Sequence, residues 1–260
     1  MLRFRGIAVA ALAACVCLVG AAAAMAGETV TIHGAFTPNV LGAPTNASGE
    51  AKIVSTIPGE IPTPITGFTI KGPAGLKVEL EGTGTCSVAI LEGNQGPEGC
   101  PKDSVAGFGG GMGALKLGVQ IIEEPFTLDF FVGNNKPGHE ELLMYVDAVS
   151  PVSIQLAFTA VVERFPAPYG PGFHFNIPLI PTLPGASDAT VESAHISIGA
   201  PNVYYYKKVH GKRKRVHVQG LVLPKTCPKG GFAVQSDISF QDGTNSETNL
   251  KLPCPTGKKK

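Results

Sequence analysis

No tryptophan occurs among the 260 residues, which weakens any reading of the chain as a sugar binder built on an indole stacking platform. Cys-x-x-Cys is absent as well, so neither a zinc ribbon nor a thioredoxin-type redox site is encoded. The Gly-x-Ser-x-Gly elbow is missing, and with it the local signature of an α/β-hydrolase nucleophile. The six histidines, His33, His139, His174, His195, His210 and His217, show no zinc-type pairing on a helix. Heptads, amphipathic helical stretches and internal repeats are lacking too. Net charge is nearly absent: Arg3 and Arg5 belong to an N-terminal leader, and without them 19 Lys and Arg face 20 Asp and Glu. A chain so balanced has no global field to draw it to nucleic acid or to a membrane. No cofactor and no nucleotide is called for.

The leader is the first thing present. Residues 1–6 are basic, Ile7 to Ala24 is almost wholly apolar, and Ala24-Met25-Ala26 is a small-x-small cleavage site. This is the pattern of a secretory signal peptide over residues 1–26. A lipoprotein signal ending at Cys15 competes with it, because Leu12-Ala13-Ala14-Cys15 has the residues such a site needs. Val16, Cys17, Leu18 and Val19 continue the apolar run where a lipidated chain turns polar, so cleavage after Ala26 is expected. No transmembrane span is expected in the mature chain.

Residues 27–256 read as one β-rich extracellular domain, followed by a basic tail at 257–260. Glycine and proline are abundant, 33 and 22, and punctuate short strands. The spacing of those strands suggests an all-β, β-sandwich-like fold of immunoglobulin-like or Greek-key type. Ser87 is placed to cap one or two helical turns after Cys86. Pro44-Thr45-Asn46 reads as a turn, and Leu115 to Ile121 as one β stretch. Gly107 to Gly113 is a glycine-rich run without the helix that a phosphate loop requires, so it reads as a flexible or bulged β connection. It is also the only candidate boundary between two sub-units.

Cys15 and Cys17 leave with the leader, and Cys86, Cys100, Cys227 and Cys254 remain. Four cysteines in an exported chain imply two disulfides, with three connectivities open by count. The local pairs Cys86–Cys100 and Cys227–Cys254 are expected: the first closes an irregular loop, the second ties the base of a C-terminal hairpin. In that hairpin Phe232, Val234, Ile238 and Phe240 alternate with polar residues, as do Thr248, Leu250 and Leu252. Opposed residues must share a face, so paired indices sum to an even number. A three-residue loop, Asp242-Gly243-Thr244, satisfies this and sets Cys254 opposite Phe232.

Two polar clusters remain. Asp242, Asn245 and Glu247 lack the ligand density of a calcium loop and read as a polar turn. Lys207, Lys208, Lys212, Arg213, Lys214 and Arg215 flank His210-Gly211-Lys212, the expected turn of a second hairpin, with Tyr204 and Tyr206 sharing a face. Such a cluster suits an anionic cell-envelope polymer or glycan, such as a wall phosphate polymer, or extracellular DNA. The plainer reading is a solvated tip that discourages edge-to-edge pairing, since the chain as a whole is neutral and charged tips are ordinary.

The segments Cys86-Ser87, residues 100–104 (CPKDS), 168–171 (PYGP), 177–186 (IPLIPTLPGA), 227–232 (CPKGGF) and 253–255 (PCP) give the chain a wider likeness. It resembles exported proteins of unknown function from high-GC Gram-positive bacteria over most of the mature length. The resemblance implies a secreted, β-rich, disulfide-bearing envelope or extracellular protein and transfers no catalytic residue. The expectation is therefore a non-enzymatic secreted or envelope-associated protein with a structural or binding role, contacting anionic polymers through 207–217. The rival is a secreted hydrolase whose site is assembled from distant residues, which a deep cleft with converging Ser, His and Asp would favour.

Overall fold

The computed structural model describes residues 27–93, 96–200 and 203–255. The expected signal segment at 1–26, with Cys15, and the tail at 257–260 lie outside the described residues. The chain is all-β. In order come β1 (Glu28–Thr37), β2 (Pro44–Ser55), β3 (Ile65–Pro73), β4 (Lys77–Glu79), the helix α1 (Val88–Gly93), β5 (Val105–Leu117) and β6 (Gln120–Asn134). They are followed by β7 (Glu141–Ala148), β8 (Ile154–Arg164), β9 (Tyr169–Asn176) and β10 (Thr190–Ile198). The last are β11 (Tyr204–Val209), β12 (Lys212–His217), β13 (Gly220–Val222), β14 (Phe232–Phe240) and β15 (Asn245–Leu252).

Thirteen strands form one antiparallel sheet in the order β15-β14-β3-β9-β8-β7-β6-β5-β10-β2-β13-β4, with β1 added on β2. Its middle, β5 to β9, is a meander, the arrangement that short connections between sequential strands favour. Near opposite ends of that order, β14 and β2 still meet: Ile238 and Phe240 pack with Ile53. Leu250 and Leu252 of β15 lie over Gly34 of β1. The sheet therefore doubles back and packs its inner faces together, a β-sandwich-like architecture. Alternation sets those faces: Leu128, Phe130 and Val132 of β6 are buried, with Leu142 of β7, Phe158 of β8 and Phe175 of β9 beside them.

One patch of the outer face is covered as well. Phe131, Leu143 and Tyr145 point away from the sheet interior and are capped by Leu91 of α1, itself fully buried. Ser87 starts this helix, its Oγ 3.4 Å from the amide of Ile90. The Cys86–Cys100 disulfide closes the excursion, with Cα atoms 5.3 Å apart. By loop-closure entropy such a bridge contributes about 3 kcal/mol, which suits a segment with little core of its own.

Four local expectations need correction. The glycine-rich run is no connection: residues 107–113 are interior to β5, paired with β10 on one side and β6 on the other. A Cβ at Gly107, Gly109 or Gly111 would stand 2.2, 2.2 and 2.0 Å from the carbonyl oxygens of Ser197, His195 and Ser193. The glycines are there because β10 passes too close for any side chain, and one sheet runs straight through the supposed boundary. Pro44 opens β2 instead of turning the chain, as a proline can at the first position of a strand. The stretch from Leu115 to Ile121 contains a hairpin turn, Leu117 pairing with Gln120 around Gly118-Val119.

The fourth concerns the C-terminal hairpin. Parity is kept, but Ser239 pairs with Asn245 and Phe232 with Leu252, so the loop is Gln241-Asp242-Gly243. A three-residue loop places its left-handed residue last, and Gly243, at φ 82°, can fill only that place. Cys254 consequently lies two residues beyond the partner of Phe232 and reaches Cys227, with Cα atoms 5.8 Å apart.

Candidate functional site

The basic hairpin forms a two-stranded sheet of its own, β11 with β12, outside the main sheet. Its turn is the two-residue His210-Gly211, with φ 49° and 76°, the double positive φ of a type I′ turn. Turn length decides which cations meet which aromatics. With Val209 paired to Lys212, Tyr206 opposes Arg215, Lys208 opposes Arg213 and Tyr204 opposes His217. The three-residue turn expected from sequence would have kept Lys212 in the loop and set Lys214 and Val216 on the tyrosine face instead.

That face is a cation–aromatic stack. Arg213 Cζ lies 4.2 Å from the centre of the Tyr206 ring, and Arg215 Cζ lies 3.9 Å from that of Tyr204. His217 meets Tyr204 edge-on at 4.8 Å. Each stacked guanidinium gains about 0.5–1 kcal/mol at an exposed site. Tyr204 and Tyr206 are 53% and 59% exposed, so the stack faces solvent. Among the described residues, Lys208, Lys212, Arg213, Lys214 and Arg215 make no ion pair.

The opposite face attaches the hairpin to the body. Tyr205 packs over Gly82, where a Cβ would overlap its ring, and Lys207 pairs with Glu81. The hydrogen bond from Lys207 holds the Glu81 carboxyl below its ordinary value, and Glu81 in turn raises the ammonium. Burial, followed by the Glu81 charge, pushes the Tyr205 phenol up. The six cations expected as one cluster are thus divided: Lys208, Arg213 and Arg215 face outward with the tyrosines, Lys212 and Lys214 share the other face, and Lys207 is engaged.

The calcium candidates do not converge. Asp242 accepts from the amide and hydroxyl of Thr244 at 2.9 and 2.7 Å, and these two bonds, the hydroxyl's the larger, lower its pKa. Glu247 accepts from Asn249 at 2.7 Å. No group of three His, Cys, Asp or Glu able to hold a metal occurs among the described residues. His174 does sit in a chain: its Nδ1 is 2.7 Å from Thr69 Oγ1 and its Nε2 2.9 Å from Asn176 Oδ1. With Nε2–H donating to Asn176, Nδ1 accepts the threonine hydroxyl. None of the three residues lines either of the two cavities described next.

Sequence reasoning missed the interior. Two apolar cavities, of about 210 and 150 Å³, lie between the folded-over faces and share the walls Ile32, Gly49, Ile70, Phe173, Ile196 and Ser236. They arise because inward positions carry little bulk: Ala47, Gly49 and Ala51 on β2 sit beside Gly34 on β1. The trace of this in sequence is a period-two row of small residues in strands that elsewhere place Ile or Phe inside. Three polar side chains are buried in the lining, Glu124, Thr190 and Ser236, and Thr190 Oγ1 lies 3.5 Å from the Thr63 carbonyl. Glu124 takes the Val152 amide at 3.2 and 3.3 Å to its two oxygens. The Ser236 hydroxyl, on a residue 1% exposed, makes no hydrogen bond to the protein.

No protein-family model matches this chain, and neither a curated protein nor a solved structure matches it.

Proposed function

We propose that this chain is an exported, non-catalytic binding protein that attaches to an anionic polymer of the cell envelope, a phosphate-bearing wall polymer or an acidic glycan. The observation that carries the reading is the outward face of β11–β12, where Arg213 and Arg215 lie over the rings of Tyr206 and Tyr204 with Lys208 beside them. Stacking leaves the guanidinium edge free for two parallel hydrogen bonds to a phosphate or carboxylate. Repeating cations along a strand pair match the repeating charges of a polymer better than a single small anion. Two disulfides fit an oxidising compartment, and the leader fits export. No helix among the described residues is long and apolar enough to cross a membrane.

The Thr69–His174–Asn176 chain is the arrangement nearest to a hydrolytic site, and it lies outside both cavities. A hydrolase needs its nucleophile beside donors aimed at a developing oxyanion, so binding remains the better-supported reading. Calorimetric titration with poly(glycerol phosphate) and with neutral dextran tests it. Binding to the phosphate polymer alone is expected, weakening steeply between about 50 and about 200 mM salt as counterion release requires. Salt-insensitive binding, or equal affinity for neutral dextran, overturns the reading.

A further inference from the structure

The geometry points to a second, separate site inside the fold: the paired apolar cavities take a neutral long-chain molecule bearing one hydroxyl or carbonyl oxygen, which hydrogen-bonds to Ser236. A hole of about 150 Å³ lined by aliphatic and aromatic side chains is already enough for benzene. Here the larger cavity is about 210 Å³ and a second of about 150 Å³ adjoins it. Two lobes that share the walls Ile32, Ile70, Phe173 and Ile196, the waist between them, suit a flexible chain reaching from one to the other better than a broad rigid ring.

Ser236 gives the cavities their polar anchor. Every other inward residue of β14, namely Phe232, Val234, Ile238 and Phe240, is apolar and buried. A buried hydroxyl without a partner carries the unrecovered cost of its desolvation, so its place at the waist, lining both lobes, is a cost that a ligand oxygen removes. Charge then selects the ligand class. Among the described residues no Lys or Arg lines either cavity, while Glu124 is buried in the wall of the larger one. A carboxylate would enter with no lysine or arginine to neutralise it and a buried carboxyl nearby, so a fatty acid anion is disfavoured and a long-chain alcohol or ester preferred. The connector after β9 passes over one end, with Pro178, Leu179 and Ile180 lining the cavity, and offers the route of entry.

The absence of tryptophan makes the test clean, because N-phenyl-1-naphthylamine can be excited without indole background. The mature protein should take up this probe saturably, and dodecan-1-ol should displace it at concentrations at least about ten-fold lower than dodecanoate. Ser236→Ala should weaken displacement by dodecan-1-ol about three- to ten-fold, the range of one net hydrogen bond, and leave dodecane unchanged. A Cβ at Gly49 would meet only ordinary contacts, the nearest 3.6 Å away, so Gly49→Leu should fold, fill the waist and abolish uptake. Absence of saturable uptake by the wild type overturns the inference. So does displacement by dodecanoate as readily as by the alcohol, an equal loss for alcohol and alkane in Ser236→Ala, or full uptake by a folded Gly49→Leu protein.

Discussion

The two hairpins of the C-terminal third differ in what their alternation serves. In β14–β15 every second residue enters the core: Phe232 is fully buried against Phe36, ring centres 5.9 Å apart, and β14 is paired on both sides. A disulfide ties its base. In β11–β12 neither face belongs to the core. One is attached through Tyr205 and Lys207, and the other carries stacked cations into solvent. Isolated two-stranded ribbons are marginal in water, so the second hairpin adds little to global stability and can present chemistry that the first cannot. A hairpin that holds the fold and a hairpin that contacts a partner should fail in different assays.

The largest separation should come from the staple. Replacing both Cys227 and Cys254 by Ser removes about 3 kcal/mol by loop-closure entropy, which for a domain of this size lowers the melting temperature by roughly 6–12 °C. Scanning calorimetry reads this, and affinity for poly(glycerol phosphate) at room temperature should be unchanged. Next, Arg213→Gln with Arg215→Gln should reduce that affinity more than about ten-fold, as loss of two charge-assisted contacts implies. Calorimetric melting should then be unmoved within about 1 °C, since exposed surface changes are close to neutral.

A smaller and sharper contrast uses one substitution in both tips. Gly243 and Gly211 have φ 82° and 76°, and a β-branched residue there costs about 1–2 kcal/mol. Gly243→Val should lower the global melting temperature by roughly 4 °C. Gly211→Val should spare it and weaken polymer binding, which thermal melts and titration on the same preparations would separate.

The smallest effect is electrostatic. Asp242, in the first hairpin's loop, has its pKa lowered by the bonds from Thr244. Its folded form therefore binds fewer protons, so its stabilising contribution is present above the ordinary Asp value and is lost as pH falls through the lowered one. Asp242→Ala should reduce the melting temperature slightly at neutral pH, and the difference should close in acid. Asp129 is the opposite case: burial, then the Asp147 charge, raises its pKa. Its folded form holds the proton longer, so its carboxylate costs stability at neutral pH, and Asp129→Asn should gain melting temperature there and lose the gain on acidification.

What was legible in the sequence was local. The disulfides join cysteines 14 and 27 residues apart, and strand parity depends only on alternation. In the β14–β15 loop alternation alone leaves two three-residue registers open, and only the left-handed Gly243 in the last place selects the one observed. The same kind of shift, one residue of turn length, puts Lys214 and Val216 where Arg213 and Arg215 stand on the tyrosines. The glycines of β5 were opaque because their reason lies on β10, at Ser193, His195 and Ser197. The cavities were opaque because they exist only once β14 meets β2, a contact between Ile238 and Ile53 that no local pattern announces.

The division of labour between the hairpins is tested most directly by replacing Lys208, Lys212, Arg213, Lys214 and Arg215 together with Gln and measuring two quantities on one sample. Titration with poly(glycerol phosphate) should show binding lost, and the melting temperature should stay within about 2 °C of the wild type, the range of surface substitutions. Retained, salt-sensitive binding with a collapsed melting temperature would contradict it, because the cations would then be holding the fold and something else the polymer.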